Sequence, residues 1–204
     1  MKIFVAVPTF ETIYPDTYKS IYGLNQANNY VVFDFVRGYD CAVARNKIGR
    51  QAISEEADYV LMVDNDIVLP SDTLINLLDE PKDVCIGLYA NRGDYGVYDG
   101  TVCAYKMGEH DYKTKFSAQE MADLRNSGHH KVQIHGGGMG CALIKTELFK
   151  KLPYPWFKYV NYDNGSLLSE DLYFCEQCKQ HNIPIFVDTR VLCGHMFRYI
   201  QWPV

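Results

Sequence analysis

The chain has 204 residues, 48% of them hydrophobic, with 16 Tyr, 10 Phe and 2 Trp and a formal net charge of −5 at pH 7. This size and composition fit one globular domain and exclude both a disordered chain and a small disulfide-rich protein. The 25 Asp and Glu against 20 Lys and Arg exclude a protein that holds nucleic acid or an anionic membrane by its overall charge. We therefore expect any anionic ligand to be held by local features of a site.

The N-terminus and the cysteines indicate the compartment. The apolar run at 3–7 is too short for a signal sequence and predicts a first strand. No apolar run approaches the ~18 residues that span a bilayer, so we expect no transmembrane segment. The seven cysteines are odd in number and mostly lie in apolar runs, which is typical of reduced core residues. These features predict a cytoplasmic protein.

The first half of the chain alternates predicted strands and helices. The expected strands are residues 2–7, 30–36, 59–63 and 84–89, and the expected helices are residues 40–57 and a segment opened by Pro70 and Ser71 that runs to Leu78. Because the strands are continuously apolar and helices separate them, the pattern predicts a mainly parallel sheet covered on both faces. The predicted fold class is α/β.

The second half is less regular. Tyr98–Thr101 predicts the turn of a hairpin within 95–107, and Ser117 and Glu120 predict a capping box. The remaining expected elements are helices at 118–126, 146–152 and 170–181 and strands at 131–135, 140–144 and 184–188. The segment 153–168 is rich in aromatic residues and predicts a partly exposed loop.

Asp64-Asn65-Asp66 directly follows the predicted strand at 59–63. The carboxyl end of a strand in a parallel sheet lies at the crevice where α/β proteins bind ligands. Two carboxylates one residue apart point to opposite sides of an extended chain, so one can hold a metal and the other a hydroxyl or water. The alternative is a turn in which these side chains satisfy backbone groups.

Glu170 and Asp171 follow Ser169 at the start of a predicted helix. The free N–H groups and the dipole of a first helical turn favour ionised carboxylates. An ionised Asp171 that faces a cleft can act as a general base. The alternative is that both residues only complement the helix dipole.

Three further features have a functional and a structural interpretation. His195 lies past the last predicted strand, where a neutral imidazole is a suitable ligand for Mn²⁺, although a lone histidine is more often structural. The glycines at 136–140 indicate a tight bend or a close approach of another group, and otherwise a bulge. Cys175 and Cys178 lack a second pair to complete a metal site, so their helical spacing favours core packing.

Taken in order, these features resemble a glycosyltransferase of the GT-A fold, of the family 2-like kind. The segments that carry the resemblance are Pro8–Glu11, Ala44–Asn46, the DXD-like Asp64–Asp66, Gly137–Ile144, Ser169–Cys175 and Val187–His195. The match covers nearly the whole chain. It implies a Rossmann-like, mainly parallel sheet flanked by helices, with a smaller antiparallel portion on the acceptor side. It also implies one domain over 1–204, with a nucleotide-binding half at 1–92 and an acceptor and catalytic half at 93–204.

The resemblance implies a metal-dependent transfer of a sugar from a UDP- or GDP-sugar to a hydroxyl of a glycan or another acceptor. The residues implied to border the nucleotide sugar are Pro8, Thr9, Glu11, Arg45, Asn46, Asp64, Asn65, Gly137 and Gly138. The implied Mn²⁺ or Mg²⁺ ligands are Asp66 and His195, with Asp64 near the ribose or a metal-bound water. Asp171 is the implied base, with Glu170 beside it. Trp156 and Tyr159, from the aromatic loop, are our candidates for an acceptor-sugar platform.

Two departures and two alternatives accompany this interpretation. Ser169 stands where many relatives have Gly, which we expect to change access for the acceptor. The Gln-x-x-Arg-Trp pattern of processive synthases is missing, so we expect single transfer. With Asp171 as the base, we expect inversion. Asp64–Val68 also fits the D-x-D-x-[TV] pattern of haloacid-dehalogenase-like phosphotransferases, although two strands and a long helix precede it. The other alternative is a carbohydrate- or nucleotide-binding module without catalysis, in which the aromatic cluster at 154–162 stacks on sugar rings.

Overall fold

A large central sheet organises the chain in a computed structural model that describes residues 1–92, 98–108, 112, 114–197 and 200–202. The path of neighbouring strands is β2 (Tyr30–Arg37), β1 (Lys2–Thr9), β3 (Tyr59–Val63), β10 (Cys141–Lys145), β5 (Val84–Arg92), β13 (Ile185–Met196) and β14 (Ile200–Gln201). Because β10 comes from the second half of the chain and lies between two strands of the first half, the two predicted halves share one sheet.

Strand direction determines which residues meet at the edge of the sheet. β1 is parallel to β2 and β3, and β13 is parallel to β5. β10 is antiparallel to both of its neighbours, β3 and β5. The carboxyl ends of five strands and the beginning of β10 therefore lie along one edge. This is the edge where ligands of open α/β sheets bind.

Six helices accompany the sheet in the described part of the chain: α1 (Pro15–Tyr22), α2 (Cys41–Ser54), α3 (Thr73–Leu78), α4 (Ala118–Asn126), α5 (Leu148–Lys151) and α6 (Glu170–Gln180). The side chain of Asp40 accepts a hydrogen bond from the Val43 N–H at 2.7 Å and caps α2. The capping box of Ser117 and Glu120 is present, and α4 has the predicted bounds. None of these helices is long and apolar enough to cross a membrane.

Shorter strands form the antiparallel portion expected in the second half. β6 (Tyr98–Tyr105) pairs with β5, β7 (Lys115–Ser117) and β9 (Gly136–Gly137), whereas β8 (Lys131–Ile134) and β4 (Ile67–Val68) pair with β13. β11 (Val160–Asn161) and β12 (Leu167–Leu168) form a separate hairpin. The α/β class and the mainly parallel central sheet are thus confirmed.

Two predicted elements are corrected. The turn expected at Tyr98–Thr101 is wrong, because these residues belong to β6. The turn-like signal arises because the Asp99 carboxylate accepts the Thr101 N–H at 2.9 Å within the strand, and 95–97 of the expected hairpin lie outside the described residues. The last strand is longer than the predicted 184–188, because pairing with β5 resumes at Leu192 after an irregularity. That continuation carries His195 to the edge of the sheet.

The core lies on β3 and β10. All five residues of β3 are buried, and so are the first four of β10. All seven cysteines are free thiols, and only Cys41 is exposed. Cys175 and Cys178 are fully buried, so the predicted packing role of this pair is confirmed.

Candidate functional site

The carboxyl edge of the sheet brings together most of the polar residues singled out in the sequence. Asp64 follows β3, and the glycine turn at 136–140 leads into β10. His195 lies near the end of β13, which pairs with β5. Segments far apart in the chain therefore converge on one site.

Arg45 is the centre of a buried ion-pair network. Its Nη2 donates to both carboxylate oxygens of Asp64, at 2.7 and 3.0 Å, and its Nη1 donates to Glu170. Burial alone lowers the pKa of Arg45, but Asp64 and Glu170 raise it well above its usual value. A buried guanidinium bound in this way holds the Asp64 carboxylate in one orientation. Arg45 therefore acts on the site through Asp64.

Glu170 is not placed as a catalytic group. It is 6% exposed and bound to Arg45, and its pKa is raised by burial in spite of the opposing effect of Arg45. Because its carboxylate binds the buried Arg45, Glu170 supports that arginine. The catalytic role predicted for it beside Asp171 is therefore corrected.

His195 and Asp66 form a close pair. The Nδ1 atom of His195 lies 2.7 Å from the carbonyl oxygen of Ala90, and a carbonyl only accepts, so Nδ1 carries the proton. Nε2 faces Asp66 Oδ2, 3.5 Å away. A protonated ring donates from Nε2 to this carboxylate, whereas a neutral ring has a lone pair there that can bind a metal. A hydrogen bond at the opposite ring nitrogen orients a metal-ligating histidine.

Arg92, which the sequence did not single out, also binds Asp66. Its Nη2 donates to the Asp66 carboxylate and, at 2.6 Å, to the carbonyl oxygen of Met196. Burial raises the pKa of Asp66, but His195 and Arg92 lower it below its usual value. The carboxylate is therefore ionised at neutral pH and shared by a guanidinium and an imidazole.

The Asp66–His195 pair fits a divalent metal. A carboxylate and a neutral imidazole suit Mn²⁺, and Mg²⁺ is often held by one or two carboxylates together with substrate phosphates. No cluster of three or more His, Cys, Asp or Glu capable of holding a metal occurs among the described residues. Two protein ligands leave most coordination positions to other oxygens, as expected for an ion shared with a bound diphosphate. Arg92 occupies the same carboxylate and would have to yield to the ion.

The glycine turn is required by Tyr89 on β5. A Cβ atom on Gly138 would lie 2.0 Å from the Tyr89 hydroxyl oxygen, and the Gly140 N–H donates to that oxygen at 3.2 Å. Gly137 is buried, and a Cβ there would lie 2.4 Å from the Ile86 side chain. The close approach predicted at Gly137 and Gly138 is thus made by side chains of the protein itself.

Asp171 lies across this turn from Asp64. A Cβ atom on Gly138 would be 3.6 Å from Asp171 Oδ2, and one on Gly140 would be 3.1 Å from Asp64 Oδ2. The other oxygen of Asp171 accepts from the Ser169 hydroxyl and, at 2.8 Å, from the Leu172 N–H. Ser169 occupies the N-cap position, but its side chain binds Asp171 and does not cap the helix. One oxygen of Asp171 is therefore anchored and the other faces the turn.

A cavity of about 580 Å³ lies at the carboxyl ends of β1 and β2. It is lined by Phe10, Glu11, Arg37, Gly38, Tyr39 and Lys47. Of the residues predicted to border a nucleotide, Glu11 lines this cavity, Pro8 is buried in β1, and the Thr9 hydroxyl donates to the Thr12 carbonyl at 3.0 Å. Asn65 donates to the same carbonyl at 2.9 Å. The segment beside the cavity is thus tied to the Asp64–Asp66 motif.

Asn46 and Trp156 have structural roles. The Asn46 Oδ1 accepts the N–H groups of Trp156 and Phe157 at 3.0 and 3.2 Å, and its Nδ2 donates to the Phe157 carbonyl at 2.7 Å. Trp156 is 4% exposed and packs on Phe149, with ring centroids 4.9 Å apart. The nucleotide contact predicted for Asn46 and the acceptor platform predicted for Trp156 are therefore corrected. Tyr159 is 38% exposed and hydrogen-bonds to Glu170.

Sequence reasoning also missed the partners that complete the site. Tyr89 is the last residue of the predicted strand at 84–89, and its hydroxyl meets the glycine turn. Arg37, Tyr39 and Lys47 were not singled out. Arg37 and Tyr39 could have been identified by their position just past the predicted strand at 30–36.

Comparison with known proteins identifies the fold of the chain. No protein-family model and no curated protein sequence matches the chain. The solved structure of A197 from STIV is 19% identical, with a TM-score of 0.61 over 97% of this chain and 86% of that one. GalNAc-T7, solved with UDP, GalNAc and Mn²⁺, is 11% identical, with a TM-score of 0.63 over 97% of this chain and 44% of GalNAc-T7. The chain therefore has a GT-A-like fold, similar to that of the glycosyltransferase GalNAc-T7.

Proposed function

We propose that this chain is a metal-dependent glycosyltransferase that moves a sugar from a UDP- or GDP-sugar to an acceptor hydroxyl. The observation that carries the proposal is the convergence of Asp64 and Asp171 on one glycine turn. Tyr89, which contacts that turn, also meets the ring of His195 at 5.3 Å between centroids, and His195 is paired with Asp66. The likeness in fold to GalNAc-T7, which was solved with UDP, GalNAc and Mn²⁺, supports it.

The donor nucleotide occupies the cavity beside β1 and β2. Phe10 and Tyr39 offer aromatic faces to the base, and Arg37 and Lys47 supply the positive charge that an acidic chain otherwise lacks. Asp64, held by Arg45, is oriented to accept a hydrogen bond from a ribose hydroxyl. Each of these groups binds or orients the donor before any bond changes.

Asp66 and His195 would hold the metal ion. When bound, the ion neutralises the negative charge that develops on the departing nucleoside diphosphate. The Ala90 carbonyl keeps His195 in the tautomer that can ligate. Arg92, which binds Asp66, would supply a second positive charge at the site.

Asp171 is the base in an inverting transfer. Its Oδ2 takes the proton of the acceptor hydroxyl while that oxygen forms a bond to the anomeric carbon, and the bond from this carbon to the diphosphate oxygen breaks. The nucleoside diphosphate leaves with the electron pair of that bond. Ser169 and the Leu172 N–H hold Oδ1, so that the free oxygen keeps its direction. General-base catalysis of this kind contributes about 10²–10⁴ in rate.

One observation disfavours the phosphotransferase alternative. In that mechanism the first Asp of the motif attacks phosphorus, yet both oxygens of Asp64 accept hydrogen bonds from the buried Arg45. A carboxylate bound in this way is a weak nucleophile. Asp64 is better suited to binding the donor.

A thermal-shift screen tests the proposal. UDP- and GDP-sugars are added with and without Mn²⁺, since a ligand that binds only the folded chain raises the melting temperature. We expect one nucleotide class to stabilise wild type in the presence of Mn²⁺, and the Asp66→Asn variant to lose the metal-dependent part of the shift. The proposal is wrong if no nucleotide sugar shifts the melting temperature with either Mn²⁺ or Mg²⁺.

A further inference from the structure

A second, larger cavity lies on the face of α6 that bears Leu172 and Tyr173. It has a volume of about 1100 Å³ and is bounded by α6, the β11–β12 hairpin and Tyr105 of β6. Ligand sites of drug-sized molecules commonly measure about 300–1,000 Å³, so this cavity has room for an extended ligand. We call it the tyrosine cleft, because Tyr105, Tyr112, Tyr162 and Tyr173 line it.

The tyrosine cleft adjoins the proposed catalytic centre. Tyr105 pairs with Gly136 at the start of the glycine turn, and Leu172, which lines the cleft, directly follows Asp171. Asp171 itself does not line the cavity, but it lies close enough to Tyr105 to add to the effect of burial, which raises the pKa of that tyrosine. We therefore expect a ligand that extends past Tyr105 to reach the Asp171 carboxylate.

The walls of the cleft combine aromatic rings with fixed polar groups. The rings of Tyr105 and Tyr112 meet edge to face, with centroids 5.3 Å apart, and the Tyr112 hydroxyl donates to Glu176 at 2.7 Å. Burial raises the pKa of Tyr105 to about 12, so its hydroxyl remains a neutral donor. Tyr162, on the hairpin side, is 50% exposed and offers an open ring face.

Gln177 fixes a polar group in the wall of the cleft. It is 8% exposed, its Nε2 donates to the Tyr173 hydroxyl at 3.0 Å, and its Oε1 has no hydrogen-bond partner among the described residues. The amide of Gln177 thereby orients the Tyr173 hydroxyl, which lines the cleft together with the Glu176 carboxylate. Hydroxyl and carboxylate groups in the wall favour a ligand that carries hydroxyls.

We propose that the tyrosine cleft binds a carbohydrate chain of two or more sugar rings. Its use as the acceptor site rests on the proposed function, whereas the binding does not. Sugar rings present C–H faces that stack on aromatic rings and hydroxyls that satisfy amides and carboxylates. A lipid chain would instead place hydrocarbon against the polar side chains of Asn164, Glu176 and Gln177 and exclude water from them. Carbohydrate is the ligand class that can contact both the aromatic rings and the polar groups of the cleft.

Binding is tested with a panel of di- to tetrasaccharides of glucose, galactose, mannose, xylose and N-acetylglucosamine. Saturation-transfer NMR detects contact, and titration calorimetry gives affinities for the full-length chain without any nucleotide. An unglycosylated Ser- and Thr-rich peptide and phosphatidylcholine vesicles serve as the other ligand classes. We expect at least one oligosaccharide to bind, and the peptide and the vesicles not to compete with it.

Tyr162→Ala should weaken that binding about two- to tenfold, as expected for the loss of one aromatic contact. Tyr162→Phe keeps the ring and should remain within about twofold of wild type. Tyr22→Ala, which removes an 85% exposed tyrosine from α1, is the matched control and should change nothing. Tyr162 lies on a two-stranded hairpin and is half exposed, so we expect its variants to fold, which their melting temperatures will verify.

Three results overturn the proposal: no oligosaccharide of the panel binds, binding is equal in wild type and Tyr162→Ala, or the peptide or vesicle competes for the cleft. Failure of the proposed function has a different signature. In that case oligosaccharide binding still depends on Tyr162, but no nucleotide sugar stabilises the chain.

Discussion

The Nε2 atom of His195 lies 3.5 Å from Oδ2 of Asp66, and the Ala90 carbonyl fixes the proton on the opposite nitrogen of the ring. A protonated ring donates a hydrogen bond to this carboxylate, whereas the lone pair of a neutral ring and the carboxylate repel each other unless a positive charge lies near both. With a neutral ring, the arrangement is therefore suited to a shared cation. Arg92 supplies one such charge in the structure described here, and a divalent ion would supply a larger one.

His195→Ala should weaken Mn²⁺ binding measured in the presence of UDP or GDP. Loss of a partner that only orients a ligand typically costs about 10- to 100-fold in metal affinity, and removal of the ligand itself should cost at least as much. Titration calorimetry measures the change. His130→Ala removes an exposed imidazole elsewhere and should bind as wild type does. Unchanged affinity in His195→Ala would rule out its role as a ligand.

Arg92→Gln should have the opposite effect on Mn²⁺ binding without nucleotide. The guanidinium competes with the ion for the Asp66 carboxylate, and partly exposed ion pairs contribute about 0.2–1 kcal/mol. We expect the affinity for Mn²⁺ alone to rise about one- to fivefold, with the larger values where the pair is strong. Electron paramagnetic resonance of free Mn²⁺ gives the bound fraction. Weaker binding in Arg92→Gln would show that the arginine supports the ion site.

Gly138→Ala should disturb the glycine turn. The added methyl group would lie 2.0 Å from the Tyr89 hydroxyl oxygen, and such overpacking costs about 1–3 kcal/mol of unfolding free energy. Tyr89→Phe removes that oxygen, so the double variant should recover part of the loss. Urea unfolding of the two single variants and the double variant measures the coupling. Strictly additive effects would contradict the contact.

Asp188 should make the stability of the chain sensitive to acid. It is fully buried and accepts from Lys131 Nζ and Arg190 Nη2, both at 2.8 Å. Burial raises the pKa of Asp188, but Arg190 and Lys131 lower it below its usual value. Because the unfolded chain takes up this proton near pH ~3.9, the stabilisation is present above that pH and is lost as the pH falls through the lower folded pKa.

Asp188→Asn should therefore lose about 3–5 kcal/mol of unfolding free energy at pH 7, since it leaves buried cations without their counter-charge. Its unfolding free energy should also fall less steeply than that of wild type below about pH 4. Urea titrations at several pH values measure both effects. Asp163→Asn, at an exposed position, is the control. Parallel pH profiles of wild type and Asp188→Asn would contradict the assignment.

The elements that the sequence predicted well depend on local signals. The apolar run of β3 and the capping box of α4 both have the expected bounds, because periodicity and caps act within a few residues. The same reasoning predicted that Asp64 and Asp66 lie at the edge of the sheet where the parallel strands end.

What the sequence could not predict depends on distant contacts. Trp156 belongs to an aromatic loop and was expected to be exposed, but Asn46, 110 residues earlier, binds its backbone and holds it in the core. Glu170 looks like any first-turn carboxylate until Arg45, 125 residues earlier, is found bound to it. The ion pair between Arg92, at the end of β5, and Asp66, just before β4, likewise joins two segments that only the folded sheet brings together. Such pairings have no local signature.

The central claim is tested most directly by release of nucleoside diphosphate. Purified chain is incubated with Mn²⁺, a UDP- or GDP-sugar and an oligosaccharide that binds the tyrosine cleft, and both released UDP or GDP and the extended glycan are measured. We predict both products from wild type, a loss of about a hundredfold or more in Asp171→Asn, and a comparable loss in Asp66→Asn. Wild-type chain that yields neither product with any UDP- or GDP-sugar, or an Asp171→Asn variant as active as wild type, would contradict the account.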